Sequence, residues 1–450
     1  MAIKQSSVNP KAQDHTKSPR ILRRRSTTLG TTISREDTNT TPAVTPPPWY
    51  AFAFRDYRLL WATLVTTQVV LWMRILGTAQ WLYDETGSET LIAFIGVIQL
   101  VVQIPALLWG GTLADHVDRK LLITLSNSAT AAALLTLGLL SWHGALSPTM
   151  VYAGIAITAA SQMLASPARS ALIPIVIPKQ YLMLATSTDT ASQNAAAIIG
   201  PLIFAGVAVT AGLSAVFLLA GAIALVSALL PWLIRAAGRA DGHENDTPTS
   251  AWRQTRDGFG YVAKHPILPG LFLLDAGITV SSFYREILPV LALALFAGGA
   301  SATGMLGAAN SAGAIIGSFV ALLLVRYKAK GMLVLYASFF YGFVLFGFGT
   351  ASTLWISMLM IGLLGAADAV TVAVRHTTVM LTTPDHMRGR AFALLVLAAQ
   401  TANNIGTIWV GAWAGAIGAG NTMVLGGFLS ITATFMIWRL YRPIREFRAD

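Results

Sequence analysis

The feature that most constrains this chain is a series of long apolar runs, separated by short breaks, that begins near residue 57. A helix needs about 20 mostly apolar residues to cross the hydrocarbon core of a bilayer, and the runs have about that length. The runs lie at residues 57–83, 91–113, 121–141, 149–169, 185–210, 213–235, 267–296, 302–325, 331–350, 353–375, 389–416 and 421–439. Since 54% of the residues are apolar and only 11% are charged, a balance that a water-soluble domain would not need, the composition favours the bilayer over water as the solvent. We therefore predict an all-α membrane protein with twelve transmembrane helices.

The basic residues of the breaks predict how the chain is oriented in the membrane. If the amino terminus is cytoplasmic, the cytoplasmic breaks carry basic residues such as Arg119, Arg239 and Lys328, and the opposite breaks carry none. This asymmetry agrees with the positive-inside rule, and moving the count by one helix would destroy it. We therefore expect both termini to be cytoplasmic.

The segments outside the runs predict the domain organisation. Residues 1–50 are rich in Ser, Thr, Pro and Arg, so we expect a disordered basic cytoplasmic tail, with docking of its basic run on anionic lipid as an alternative. Residues 236–266 form the longest internal break, which we expect to be a linker on the membrane surface rather than a regulatory segment. We further expect two six-helix bundles, at residues 51–235 and 267–440, and a cytoplasmic tail at residues 441–450.

The two halves of the chain repeat at a constant offset. Four positions recur 206 residues later (375 − 169 = 206): Arg169 as Arg375, Pro178 as Pro384, Ala185 as Ala391 and Gly200 as Gly406. Because each half has an even number of spans, the second half enters the membrane in the same direction as the first. The sequence therefore predicts two parallel six-helix repeats related by an axis along the membrane normal.

The residue types also exclude several kinds of site. The chain has no cysteine, and its seven histidines have no paired spacing, so neither a disulfide nor a zinc site is expected. The basic residues are spread over the tail and the breaks rather than one face, which argues against nucleic-acid binding. No phosphate-binding loop for ATP and no intramembrane cluster of His with Ser or a carboxylate occurs. We expect no metal, no cofactor and no enzymatic activity.

One break carries a motif with a family resemblance. It reads GGTLADHVDRK and resembles the signature loop of the major facilitator superfamily of secondary transporters, with matches at Gly111, Asp115, Arg119 and Lys120. The resemblance implies that Asp115 holds the cytoplasmic side closed by capping the eleventh helix, which begins near Arg388. The alternative is an ordinary charged loop that obeys the positive-inside rule.

Other segments narrow the resemblance to one branch of the superfamily. Gly200 and Pro201 are similar to the antiporter motif, which bends the fifth helix near the cavity. The segments FRDYRLLW, SPARSALIPIVIP and TTPDHMRGR resemble bacterial drug and siderophore exporters. The resemblance implies the major facilitator fold, with the halves surrounding a central cavity, in a monomer in the bacterial inner membrane. It leaves the substrate open.

Two charged residues within the runs are candidates for an outer gate. Arg74 follows Thr67 on one helical face of the first run, and Glu286 follows Asp275 and Thr279 with the same spacing in the seventh. Ionisable residues within the membrane are functional candidates by default. In the fold that the resemblance implies, Arg74 and Glu286 would pair when the outer side closes. A permanent structural pair is the alternative.

The fourth and tenth runs place further polar residues on the cavity side. Gln162 and Arg169 share a face, and the offset of 206 maps them to Asp368 and Arg375. Buried carboxylates in transporters carry protons, so Asp275 and Asp368 are candidates for proton coupling. The alternative is that they are static partners of Arg375.

These observations favour a proton-coupled exporter of small amphiphilic, drug-like or siderophore-like compounds that works by alternating access. Uptake by symport and movement of lipid between leaflets remain open alternatives. A membrane-embedded enzyme or receptor is a more distant one. The expected partners are the lipid bilayer, a small-molecule substrate and protons.

Overall fold

The computed structural model describes residues 48–238, 251–296 and 298–448. Most of the predicted tail at 1–50, and the start of the linker at 239–250, lie outside the described residues. The principal helices are α1 (Arg55–Thr86), α2 (Glu89–His116), α3 (Arg119–Trp142), α4 (Pro148–Val176), α5 (Leu182–Leu229), α6 (Ala251–Lys264), α7 (Leu268–Ser282), α8 (Leu288–Phe296), α9 (Ala300–Leu323), α10 (Lys330–Gly349), α11 (Leu354–Thr382), α12 (Asp385–Ile417), α13 (Ala419–Leu440) and α14 (Arg442–Glu446).

Twelve membrane spans result from these helices. Among the described residues, 11 helical stretches are long and apolar enough to cross a membrane, and one of them, Lys179–Leu233, has 55 residues. That stretch is more than twice the length that a bilayer needs. Within it, Gly212 adopts φ 79° and ψ 174°, a conformation that favours glycine and turns the chain back. Residues 182–211 and 213–229 therefore form two antiparallel arms of α5, which confirms the predicted fold class.

The seventh span differs from the prediction of one continuous helix. Helix α7 ends at Ser282, a 3₁₀ turn at Arg285–Ile287 follows, and α8 begins at Leu288. Pro289 supplies a physical reason, because it has no N–H to donate and its ring would clash with the carbonyl four residues earlier. The predicted helical face that joined Asp275 to Glu286 was therefore wrong.

The buried apolar side chains form three clusters that show where the halves meet. We call the side on which α1 begins and α13 ends the terminal face, since an even number of spans brings both to one side. The largest cluster joins both halves near the opposite face and includes Leu76, Phe217 and Leu288. Two smaller clusters lie toward the terminal face, one around Tyr57 in the first half and one around Val374 in the second. Among the described residues, the apolar core that the halves share thus lies near the opposite face.

Small residues allow the halves to approach closely along this shared core. A Cβ atom at Gly96 of α2 would lie 2.5 Å from the carbonyl oxygen of Asn404 of α12. A Cβ atom at Gly304 of α9 would lie 2.5 Å from the carbonyl oxygen of Pro201 of α5. Close backbone approach at small residues is how helices associate within membranes. Asn404 also donates a hydrogen bond of 3.0 Å to Gln103 of α2.

The described part of the linker contains a helix that packs mainly on the second half and also touches α2 of the first half. Helix α6 contacts α12 and α2, and Gly258 lies against the backbone of Arg390. Tyr261 donates a hydrogen bond of 3.3 Å to the carbonyl oxygen of Thr382, and Val262 is buried. The linker helix is therefore attached to the terminal ends of α11 and α12.

Candidate functional site

The first half contains a polar cavity between α1, α3, α4 and the second arm of α5. Its lining residues are Thr67, Gln68, Val70, Leu71, Arg74, Asn127, Thr130, Thr158, Gln162, Ala165, Arg169, Ala224 and Ser227. The predicted faces of the first and fourth spans therefore point to one place, because α1 contributes Arg74 and α4 contributes Gln162 and Arg169. Four spans are needed to build this cavity.

Arg74 is the deepest charged residue of this cavity. It is only 4% exposed, and within the described part of the chain its Nη1 atom has no hydrogen-bond partner. A guanidinium in such a position loses most of its hydration, which costs free energy unless a partner compensates.

Glu286 lies in the 3₁₀ turn between α7 and α8 and is also 4% exposed. It accepts a hydrogen bond of 3.3 Å from Gln99 of α2 through Oε1, while its Oε2 atom has no partner. Arg74 and Glu286 are near enough to influence each other electrostatically. They do not form a direct ion pair, although the halves are joined near this face. The predicted pairing is therefore absent from this conformation.

The second half contains a cavity of about 140 Å³. Its lining residues are Asp275, Thr279, Ser282, Phe283, Tyr284, Arg285, Tyr341, Asp368, Val372, Arg375, Ala399 and Asn403. The carboxylate of Asp275 forms an ion pair with the guanidinium of Arg375, and both side chains are largely buried. Thr279 donates a further hydrogen bond of 3.3 Å to Asp275. One of the two predicted proton carriers is thus held by a fixed partner in this conformation.

Asp368 differs from Asp275 in its surroundings. It lies at the middle of α11, it is exposed toward the cavity, and among the described residues it forms no ion pair. The nearest opposite charges that act on it belong to Arg285 and Arg375. Arg285 itself lies over the ring of Trp72 at 5.6 Å. Asp368 is therefore a carboxylate at mid-membrane depth that is accessible to water from the cavity.

The described part of the signature loop holds elements of the first half together. Arg119 donates a hydrogen bond of 3.3 Å to the carbonyl oxygen of Ala171 of α4. Lys120 donates one of 3.3 Å to the carbonyl oxygen of Ile234. Gly111 lies within α2, but the side chains of Asp115 and Arg388 lie outside the described part of the structure, so the predicted latch stays a prediction.

The predicted bend motif lies at a crossing of three helices. A Cβ atom at Gly200 would lie 2.7 Å from the Cβ atom of Trp72 of α1, and Pro201 packs against Gly304 and Gly307 of α9. Within α5, the residue that departs from helical dihedral angles is Gly212. The motif therefore brings α1, α5 and α9 together, and its effect on the helix axis stays a prediction.

Sequence reasoning missed a buried carboxylate in the first half. Asp189 of α5 is 8% exposed and accepts a hydrogen bond of 2.8 Å from the hydroxyl of Tyr57. Its charge also acts on Arg169, although the two side chains form no direct ion pair. The available signal was a single carboxylate within the apolar run at 185–210, which marks a functional candidate by default.

The sequence of this chain matches a known protein family and several named relatives. The sequence pattern that defines the family of transmembrane secretion effectors matches residues 47–449. The chain is 24% identical to enterobactin exporter EntS of Citrobacter koseri over 346 residues, covering 76% of this chain and 81% of the relative. It is 26% identical to enterobactin exporter EntS of Escherichia coli O81 (strain ED1a) over 306 residues, covering 68% and 72%.

Solved structures show the same fold. A bacterial homolog of the human lysosomal transporter Spinster has a TM-score of 0.65 at 14% identity and covers 87% of this chain and 98% of its own. The nucleoside transporter NupG has a TM-score of 0.69 at 14% identity, with 86% and 100% covered. Identity at this level supports the fold alone.

Proposed function

This chain belongs to the family of transmembrane secretion effectors of the major facilitator superfamily, and we propose that it is a proton-coupled exporter of small amphiphilic compounds. Membership makes the chain a multi-pass membrane transporter. Its export direction is supported by the family description and by the exporters among its relatives. The inner membrane of a bacterium is the compartment that these relatives suggest.

The observation that carries the coupling proposal is the difference between the two carboxylates of the second half. Asp275 is neutralised by Arg375, whereas Asp368 faces the cavity without an ion-pair partner among the described residues. A carboxylate at mid-membrane depth that water can reach is able to bind and release a proton during transport. Asp368 is therefore the proposed proton carrier, and Asp275 is the proposed partner that keeps Arg375 in place.

The packing of the halves supports a mechanism of alternating access. The shared apolar core near the opposite face supports closure of that side, and the separate apolar cores toward the terminal face support access to the cavities from there. The basic breaks assign the terminal face to the cytoplasm. In this conformation the protein would receive its substrate from the cytoplasm, and rocking of the halves would then expose the site to the other side.

The test is proton release from everted membrane vesicles that have been energised so that the interior is acid. Cationic drugs, macrolides and catechol siderophores are added singly while a fluorescent dye reports the gradient. We expect one class to collapse the gradient, Asp368→Asn to abolish the effect and Asp368→Glu to restore part of it. Glu85→Gln, an exposed carboxylate outside the cavities, is the matched control.

Two outcomes would contradict the proposal. Full activity of Asp368→Asn would remove this residue from proton coupling. A proton gradient that stays intact with every compound of the panel would favour uptake or lipid movement. Uptake assays in right-side-out vesicles would then distinguish these two functions.

A further inference from the structure

We propose that the first-half cavity binds an anionic group, so that the transported compounds are amphiphilic organic anions. This inference rests on the proposed transport function and specifies its substrate class. The observation that carries it is a pair of arginines in a cavity whose lining includes no carboxylate. Arg74 and Arg169 are the charged residues of that lining, and polar amides and hydroxyls fill most of the remaining positions.

The carboxylates nearest to these arginines do not pair with them. Glu286 accepts its hydrogen bond from Gln99, and Asp189 accepts its hydrogen bond from Tyr57. Neither Arg74 nor Arg169 forms an ion pair within 4.0 Å with a described carboxylate, whereas Arg375 pairs with Asp275. The first-half cavity therefore contains two guanidinium groups without direct neutralisation.

Arg74 provides the second, independent sign of a ligand. Its side chain lines the cavity and is only 4% exposed, and Nη1 has no hydrogen-bond partner among the described residues. A buried donor on a charged group costs free energy as long as it remains unsatisfied. A carboxylate, sulfonate or phosphate would satisfy it and would match the planar donor geometry of a guanidinium.

The size of the cavity limits what enters it. The volume is about 40 Å³, which is enough for a group of the size of two or three water molecules and too small for a whole amphiphile. The charged group would therefore enter the cavity while the apolar body of the compound remains outside it. Gln162 lies on the same face of α4 as Arg169 and adds a neutral hydrogen-bonding group to the lining.

The two arginines lie at different depths. Arg169 lies seven residues before the end of α4, and Arg74 lies 19 residues after the start of α1. At a rise of 1.5 Å per residue, these positions are about 10 Å and about 28 Å from the terminal ends of their helices. An anion that enters from the terminal face would meet Arg169 first and would then reach Arg74. A cation would be repelled at both positions.

The second half has a different charge arrangement. There Arg375 is neutralised by Asp275, and Arg285 lies over aromatic rings with Asp368 near enough to act on it. Of the two cavity linings, the first-half lining thus has the excess of positive charge, while the proposed proton carrier lies in the second-half lining. Anion binding and proton binding are therefore assigned to separate halves.

The experiment measures binding without a proton gradient, on the purified full chain in detergent. The probes share one apolar body and differ in charge: 4-hexylbenzoate, the corresponding sulfonate and phosphonate, the neutral 4-hexylbenzyl alcohol and the cationic 4-hexylbenzylamine. Binding is measured as a concentration-dependent rise in the thermal unfolding midpoint. We expect at least one anion to stabilise the protein and neither the alcohol nor the amine to do so.

Variants identify the groups that bind the anion. Arg74→Gln should weaken anion binding by about tenfold or more, as expected for loss of a charge-assisted contact, and Arg74→Lys should retain part of it. Arg169→Gln should weaken binding independently, which keeps the test valid if Arg74→Gln does not fold. Arg326→Gln, an exposed arginine at the end of α9, is the matched control.

Three results would overturn the inference: equal stabilisation by the amine, no stabilisation by any anion, or unchanged binding by both Arg74→Gln and Arg169→Gln. The variant Glu286→Gln tests whether Arg74 binds the ligand or instead serves as a structural partner of Glu286. Loss of anion binding in Glu286→Gln equal to that in Arg74→Gln would make Arg74 a partner of Glu286 instead. Because the assay uses no gradient, its failure is distinct from failure of proton-coupled export, which the vesicle assay reports.

Discussion

The ion pair between Asp275 of α7 and Arg375 of α11 connects two spans of the second half at the wall of its cavity. Arg375 is 7% exposed, so little water can replace its partner. Removal of one member leaves an uncompensated buried charge, whereas removal of both leaves neutral polar groups. Because Asp275 has this fixed partner, we expect it to have a structural role, in contrast to the proton-coupling role proposed for Asp368.

We expect Asp275→Asn and Arg375→Gln each to lower the free energy of unfolding by about 3 kcal/mol, the cost of breaking a buried ion pair. The double variant should lose much less than the sum of the two single losses. Unfolding of the purified protein in detergent, arranged as a double-mutant cycle, measures this coupling. Additive losses would mean that the two side chains do not stabilise each other.

Gly96 of α2 should tolerate no side chain. Because a Cβ atom there would lie 2.5 Å from a carbonyl oxygen of α12, Gly96→Ala must separate the two helices and weaken the core that joins the halves. We expect lower thermal stability and reduced transport. Gly206→Ala is the matched control, since no atom lies within 4 Å of its Cβ position, and alanine should stabilise that helix by up to about 1 kcal/mol. Equal behaviour of the two variants would contradict the close packing of α2 on α12.

Tyr57 should stabilise the first half through its hydrogen bond to Asp189. Tyr57→Phe keeps the buried ring but removes the donor, so we expect a loss of about 1.5 to 3 kcal/mol in the free energy of unfolding, as for hydrogen bonds to charged groups. Tyr336→Phe is the control, because this tyrosine is exposed. Further replacement of Asp189 by Asn in the Tyr57→Phe background should cost little, and a large additional loss would show that Asp189 has other essential partners.

His265 lies between α6 and α7, outside the spans, and predicts a local pH dependence. Its Nδ1 atom accepts hydrogen bonds of 3.2 Å from the amide of Ile267 and 3.3 Å from the amide of Leu268. Burial lowers the pKa of His265, and a backbone hydrogen bond with Thr382 partly opposes this shift. The folded state thus favours the neutral imidazole, which is the form that can accept at Nδ1.

Because folding lowers the pKa of His265, the neutral imidazole contributes to the stability of the folded state. This contribution is complete above the ordinary pKa of 6.5, and it is lost as the pH falls through the lowered pKa of the folded state. We expect acidification below about pH 6.5 to destabilise the α6–α7 junction of the wild type. His265→Ala should remove that part of the pH dependence, while His143→Ala, an exposed histidine near the opposite face, should not. Hydrogen exchange of the amides at 267 and 268 measures the effect. An unchanged pH profile in His265→Ala would contradict it.

Much of the fold was predictable because its signals are local. The lengths of the apolar runs gave twelve spans. Helical spacing placed Gln162 and Arg169 on one face of the fourth span, while the expectation that this face lines a cavity came from the family resemblance. The break in the seventh span was missed, although the charged pair Arg285–Glu286 and the nearby Pro289 interrupt the apolar run at that point. The same omission placed Glu286 on a helical face that does not exist. Asp189 was missed although a lone carboxylate in an apolar run was visible in the sequence.

The sequence by itself determined the number of spans, their twofold repeat and the side chains that each helix turns toward one face. These follow from the thickness of the bilayer and the period of the α-helix, which do not depend on the neighbours of a helix. Only the tertiary structure decided that Asp275 meets Arg375, that Asp368 remains open to the cavity, and that Arg74 lies without a direct partner. Such relationships depend on the spacing and register of neighbouring helices. Close contacts at residues such as Gly96 fix them, and no local pattern encodes the result.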